Sequence, residues 1–233
     1  KLVYTKLNGN QKEESEKLYN KVYSSLKSKR DIENITLDGV LIGDLIYDTY
    51  LRKGNHTINK EDETFIKTLK NSLDIYVFWQ DYIDTHNVKA LNVTHCVYDL
   101  AIPLRIAINR GIPSLQVSPE FVYRLSKKNI SAYNDFKYYK DIFRMLPKEI
   151  QTNGLKSAKE RVQLRFNGKV GVDMAYSKKS SFGQHKSERI LKESPKTKIL
   201  IALHCFFDSP HPYGFNLFPD FFEWLDFLGK ITL

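Results

Sequence analysis

Hydrophobic and polar positions follow two different periods along the chain, and the changes of period mark its elements. Between residues 11 and 29, Leu18, Val22 and Leu26 recur every four positions among Lys, Glu and Ser, the spacing of an amphipathic helix. Residues 38–52, DGVLIGDLIYDTYLR, set Leu41, Leu45 and Ile46 on one face and Asp44, Asp48 and Arg52 on another stripe at i, i+4 and i+8. This pattern predicts a second helix, capped by Asp38 and ended near Gly54. A third helical region covers residues 61–86, with Phe65, Leu69, Leu73, Tyr76, Val77 and Trp79 as its apolar members.

The period then shortens. Val88–Val97 (VKALNVTHCV) is short and rich in β-formers, so it reads as a strand. Pro103–Asn109 (PLRIAIN) reads as a helix, because proline suits a first turn, and Arg110-Gly111 supplies its stop. Ile112–Val117 reads as a second strand. Strand, helix, glycine and strand in about 30 residues make a βαβ unit, which implies parallel pairing. Ligands of open α/β sheets bind beyond the carboxyl ends of such strands, which points to Thr94–Tyr98 and Gln116–Glu120.

The stretch 126–194 is less patterned. Helices are expected at Tyr133–Leu146 and Ala158–Phe166, a loop from Ser177, and a linker at 194–197. Lys198–Phe207 (KILIALHCFF) is a near-continuous apolar run of the buried parallel-strand type. A loop, DSPHPYGFN, and an amphipathic helix, FPDFFEWLDFLGKI, follow it. The expected class is therefore α/β, a Rossmann-like parallel sheet with flanking helices over residues 1–194, and the first strand, loop and helix of a second such domain over 198–233.

Composition refines this picture. The net charge is +9, and residues 124–192 hold 17 Lys/Arg against 6 Asp/Glu, a local balance of +11 that leaves −2 for the remainder. Such a stretch is either a solvated surface or a patch for polyanions such as anionic lipid or nucleic acid. Cys96 and Cys205 both sit in apolar runs and read as two buried thiols in a reducing compartment. The Asn-x-Ser/Thr triplets at Asn34, Asn55, Asn92 and Asn129 read as chance matches, since Asn92 falls in an expected buried strand. No apolar stretch approaches the length of a membrane span, and no signal peptide is recognisable. The chain starts at Lys1 rather than Met and stops just after a helical segment, so the reading frame is expected to continue past both ends.

Three blocks carry a resemblance. GDLIYDTYLR (Gly43–Arg52), THCVYDLAIPLRIAINRGIP (Thr94–Pro113) and KILIALHCFFDSPHPYGFNLFPDFFEWLDFLGKI (Lys198–Ile231) resemble segments of bacterial capsule and surface-polysaccharide glycosyltransferases of the GT-B architecture. The blocks cover roughly a quarter to a third of the chain, and the third is the most specific. The resemblance implies two Rossmann-like domains facing a cleft, an acceptor side in the N-terminal domain and a nucleotide-sugar side in the C-terminal one. It implies transfer of a sugar from a nucleotide-sugar donor to a lipid-linked or oligosaccharide acceptor, without a metal or other cofactor. It also implies a cytoplasmic enzyme, with the basic stretch at the inner face of the plasma membrane and no nucleic-acid partner. On this mapping the chain holds most of the acceptor domain, lacking its first strand, and only the start of the donor domain, so it is not expected to catalyse transfer alone.

Candidate residues follow from chemistry and position. His95, near a strand exit, can deprotonate an acceptor hydroxyl, or it is a buried histidine bonded to backbone. Neighbouring Cys96 is no partner for it, because adjacent side chains on a strand face opposite ways. Asp44, Asp48 and Glu120 are further candidate bases, although Asp48 and Arg52 also fit a helix-surface ion pair. Tyr47 can stack on a sugar, Arg105 can reach a phosphate or acidic sugar, and Gln116 follows the second strand. His204, Asp208, His211, Tyr213 and Asn216 form the densest polar cluster, after the apolar run and before a helix. The spacing of His204 and His211 lacks a third and fourth ligand, so no metal is expected.

Two readings from other classes compete. The basic middle, with Tyr133, Phe136, Tyr138, Tyr139 and Phe143 interleaved, fits a nucleic-acid-binding protein. A non-catalytic α/β scaffold is the other.

Overall fold

The computed structural model describes residues 6–118, 121–132, 136, 138–172, 176–180, 182, 193, 195–197, 199–214 and 216–232. The chain divides into two compact units, one of Lys1–Asn134 with Ala202–Leu233 and the other Asp135–Ile201.

The first unit is an α/β assembly built around one fully covered helix. Helix α1 (Gly9–Ser25) starts at Asn8, whose side chain accepts from the Gln11 amide while Gln11 reaches back to the Asn8 amide, both at 2.9 Å. Its Val22 stripe packs on α4 (Glu63–Thr85), where Phe65, Leu69, Leu73 and Tyr76 line the inward face at helical spacing. Each of these large side chains contributes about 1.5–3 kcal/mol by leaving water. Asp62 caps α4 through the Thr64 amide and accepts from the Tyr50 hydroxyl at 2.7 Å. Between these lie the short helix α2 (Lys29–Glu33) and α3 (Gly43–Leu51).

Residues 38–42 depart from the expected helix. Thr36–Leu37 (β1) and Val40–Leu41 (β2) pair antiparallel around Asp38-Gly39, and both turn residues have positive φ, 48° and 79°. Asp-Gly at a two-residue turn with positive φ at both positions favours a hairpin over a helix cap. Helix α3 therefore begins at Gly43, and Asp38 instead accepts from the Tyr76 hydroxyl at 3.0 Å.

The βαβ unit is present. Leu91–Val93 (β3) and Ser114–Val117 (β4) are parallel, in register Leu91 to Ser114, and Ile102–Asn109 (α5) connects them with Pro103 in its first turn. Gly111, at φ 74°, ends the helix as expected. A third strand, β5 (Val122–Leu125), which the pattern did not predict, runs antiparallel to β4. The sheet is thus small and mixed, in the order β3-β4-β5. Asn92 in β3 is exposed rather than buried.

The apolar run from 199 onward also differs. Residues 199–205 are not in a strand, Leu200 is 92% exposed, and no described strand pairs with them. An apolar run becomes a buried strand only where neighbouring strands and covering helices exist. Beyond it, α8 (Phe221–Thr232) forms as expected, with Asp220 accepting from the Glu223 amide at 2.8 Å. Cys205 is exposed, contrary to the buried thiol expected, whereas Cys96 is buried.

The second unit contains α6 (Tyr139–Met145) and α7 (Lys148–Phe166), neither with a buried residue. Gln151 joins them by donating to the Leu146 carbonyl at 2.7 Å. Helix α7 begins ten residues before the sequence pattern suggests, because Gly154 costs only about 1 kcal/mol among good helix formers. Residues 133–135 and 137, part of the expected Tyr133–Leu146 helix, lie outside the described residues. So does most of the expected loop after Ser177.

Gly43 is the tightest point of the first unit. A Cβ there would run into the backbone of Ile32, Glu33 and Ile35, and the Ile42 and Gly43 amides both donate to the Ile35 carbonyl at 3.0 Å. Gly43→Ala is expected to cost about 3 kcal/mol in urea unfolding, while Gly9→Ala, with open space around it, costs nothing measurable. Equal stability of the two variants would contradict this packing.

Candidate functional site

Helix α3 is buried on nearly every side, including its polar residues. Asp48, 1% exposed, meets His211 Nδ1 at 2.5 Å, and His211 Nε2 meets Glu33 Oε1 at 3.0 Å. A neutral imidazole has one donor, so a carboxylate at each nitrogen calls for the imidazolium. Burial alone would lower the His211 pKa, but the hydrogen bonds to Asp48 and Glu33 and the nearby negative charge push it up to about 10. Burial pushes the Asp48 carboxyl up to about 6 against the pull of that cation, so the carboxylate is ionised at neutral pH.

Further ion pairs balance the charge. Arg105 Nη2 bonds Asp44 Oδ2 at 2.7 Å, and Arg30 bonds Glu33 at 2.9 Å. Tyr47 and Thr57 both donate to Asp220 Oδ2 at 2.5 Å, and Lys29 bonds Glu223 beside them. Burial, followed by the Asp220 charge, raises the Tyr47 pKa. These contacts fasten residues 209–223 onto α2 and α3. Five residues predicted as site residues, Asp44, Tyr47, Asp48, Arg105 and His211, therefore meet in a buried network rather than at an open surface.

A cleft of about 460 Å³ opens beside this network. Arg52 from the end of α3, His95 and Tyr98 after β3, and Cys205, Phe207, Asp208, Ser209, Pro212 and Tyr213 line it. The expected Asp48–Arg52 ion pair is absent: the Arg52 guanidinium lies over the Tyr98 ring, 4.4 Å from its centroid. The Tyr98 hydroxyl donates to Asp208 Oδ1 at 3.1 Å, and the Ser209 amide donates to the same oxygen at 2.8 Å. Burial lowers the His95 pKa, the Arg52 charge lowers it further, and Asp208 opposes both, so the imidazole is neutral at pH 7. Burial raises the Tyr98 pKa, and the Asp208 charge adds to the rise.

Tyr98 adopts φ 61° and ψ −179°, a region that side chains rarely enter. It costs of order 1–3 kcal/mol and persists where surrounding contacts over-determine it. Here the buried ring, the hydroxyl bond to Asp208 and the bond from the Asp99 amide to Thr49 at 2.8 Å hold it.

The remaining predicted residues scatter. His204 is exposed and stacks on Phe221, ring centroids 4.7 Å apart. Asn216 closes its own loop by donating to the Pro210 carbonyl at 3.0 Å. Gln116 is buried on β4 with its Oε1 unpaired among the described residues. Glu120 lies outside the described residues. Sequence reasoning missed Glu33, Asp220 and Tyr98. The Asp-x-x-Glu pattern at Asp220 and Glu223 ahead of an apolar run was a readable cap signal, whereas Glu33 carried none.

Among the described residues no group of His, Cys, Asp and Glu is arranged to hold a metal ion, and no helix is long and apolar enough to cross a membrane. Compared with known proteins, the chain matches no family model, no curated protein and no solved structure.

His211→Ala leaves Asp48 and Glu33 buried without their shared cation and should cost about 3–5 kcal/mol at pH 7. The folded pKa lies above the unfolded one, so the His211 contribution is complete below pH 6.5 and is lost as the pH rises through about 10. The raised Asp48 pKa has the same sign at lower pH, removing some stability as the carboxyl ionises up to about pH 6. Urea unfolding of wild type and variant should show the gap at pH 7 narrowing steadily as the pH rises to about 10. A gap that stays constant contradicts the buried imidazolium.

Proposed function

We propose that the chain is the acceptor-side part of a sugar-transfer enzyme of the GT-B type, acting in surface-polysaccharide synthesis. The observation that supports this most is convergence: every described residue lining the cleft belongs to one of the three blocks that resemble such enzymes. Arg52 comes from the first block, His95 and Tyr98 from the second, and residues 205–213 from the third. The parallel β3-α5-β4 unit, with its cleft residues just beyond β3, is consistent with a Rossmann-like half.

The chemistry fits a carbohydrate. Tyr213 and Phe207 offer aromatic surface to a sugar ring, and Asp208 accepts from hydroxyls. Neutral His95 is the group that takes the proton of the acceptor hydroxyl as its oxygen attacks the anomeric carbon. The bond from that carbon to the nucleoside diphosphate breaks, and the diphosphate leaves with the pair of electrons. The donor is a nucleotide sugar, and no metal takes part. Asp44 and Asp48 act through the network that shapes the cleft rather than as bases.

The enzyme works in the cytoplasm, at an anionic membrane surface. The second unit supports the contact with an anionic surface, since exposed Met145, Leu155, Val162 and Phe166 stand among exposed Lys148, Lys156, Lys159, Arg161 and Arg165.

In the protein expressed from its full reading frame, His95→Gln should lower kcat by about 10²–10⁴ with KM for the acceptor little changed. A variant that transfers sugar at the wild-type rate removes His95 from the mechanism. The chain should also bind vesicles containing phosphatidylserine more tightly than duplex DNA at matched salt. Tighter DNA binding with a steep salt dependence would favour a nucleic-acid partner instead.

A further inference from the structure

The cleft separates its charges. At one end the Arg52 guanidinium lies over the Tyr98 ring, and at the phenol oxygen of the same ring sits the Asp208 carboxylate. No ion pair joins the two, and among the described residues no carboxylate or carbonyl accepts a hydrogen bond from the Arg52 side chain. A guanidinium presents a planar fork of donors that matches a carboxylate or a phosphate. Here the ring and the C-terminal end of α3 hold the cation in place while its donors stay available. Tyr98, which carries the guanidinium, is the residue held in the rare positive-φ conformation.

We infer that Arg52 and Tyr98 form an anion subsite, and that the ligand of this cleft is a saccharide carrying one anionic group. The anion, a carboxylate or a phosphate, takes two parallel hydrogen bonds from the guanidinium. The sugar hydroxyls reach Asp208, which accepts from them at the opposite end. A neutral sugar leaves Arg52 unused, and a dianion spread along the ring meets Asp208 and is repelled. The inference rests on the saccharide reading of the cleft and adds the charge of the ligand to it.

The test is a titration of the ¹⁵N-labelled chain, followed by its amide resonances, with glucose, glucuronate and glucose 1-phosphate at low salt. At least one anionic sugar should bind about tenfold more tightly than glucose, with shifts at Tyr98, Asp208 and Ser209. Arg52→Gln should remove that advantage, so that the anionic sugar binds no more tightly than glucose does, and Arg52→Lys should restore only part of it. Preference for glucuronate identifies an acidic sugar as the source of the anion, and preference for glucose 1-phosphate a sugar phosphate. Equal binding of all three sugars, or an advantage that survives Arg52→Gln, overturns the anion subsite and leaves the saccharide cleft standing. Absence of shifts with every sugar overturns both.

Discussion

A buried positive charge on His211, shared between Asp48 and Glu33, is the constraint on which the first unit depends. Charges taken out of water are tolerated only in mutual compensation. Two carboxylates on the most buried helix, Asp44 and Asp48, need cations, and the chain supplies Arg105 from α5 and His211 from far along the sequence. The described residues of 208–223 hold no strand, and polar contacts attach them: His211, the Asp220 cluster, the Lys29–Glu223 pair and the Tyr98–Asp208 bond. The position of the cleft follows from that attachment, because it brings 205–213 up to Arg52, His95 and Tyr98.

The same network divides the candidate residues into two roles. Those inside it, buried or nearly so, fix the geometry of a wall. Those at its margin keep exposed functional groups. Arg52 and Asp48 are one helical turn apart on α3, yet Asp48 faces His211 in the interior while Arg52 lies on the Tyr98 ring at the cleft.

Much of this was legible where local pattern and burial agree. The stripe of Phe65, Leu69 and Leu73 defined α4, and the strand, proline, glycine and strand between 88 and 117 defined the parallel unit. The failures share one cause, which is contacts distant in sequence. Asp44 and Asp48 read as candidate bases or a helix-surface pair because nothing nearby announces that Arg105 and His211 cover them. Ile199–Phe207 reads as a buried strand because its composition does not reveal whether neighbouring strands are there to pair with it. Asp38 is a different failure: Asp-Gly is a hairpin signal, and here it outweighs the helix-cap reading. Four of the cleft residues, Arg52, His95, Asp208 and Tyr213, were visible as chemistry before they were visible as neighbours. Tyr98 was not, because its importance lies in a backbone conformation that no side-chain pattern encodes.

The protonation of His211 tests this account most directly. Nitrogen-15 spectra of the histidine rings, recorded at pH 8 where an ordinary histidine is neutral, report each ring nitrogen separately. With the imidazolium in place, both His211 nitrogens carry protons at that pH. A His211 ring that titrates near pH 6.5 with a single protonated nitrogen above it would mean that the carboxylates are held in some other way, and the origin of the cleft with them.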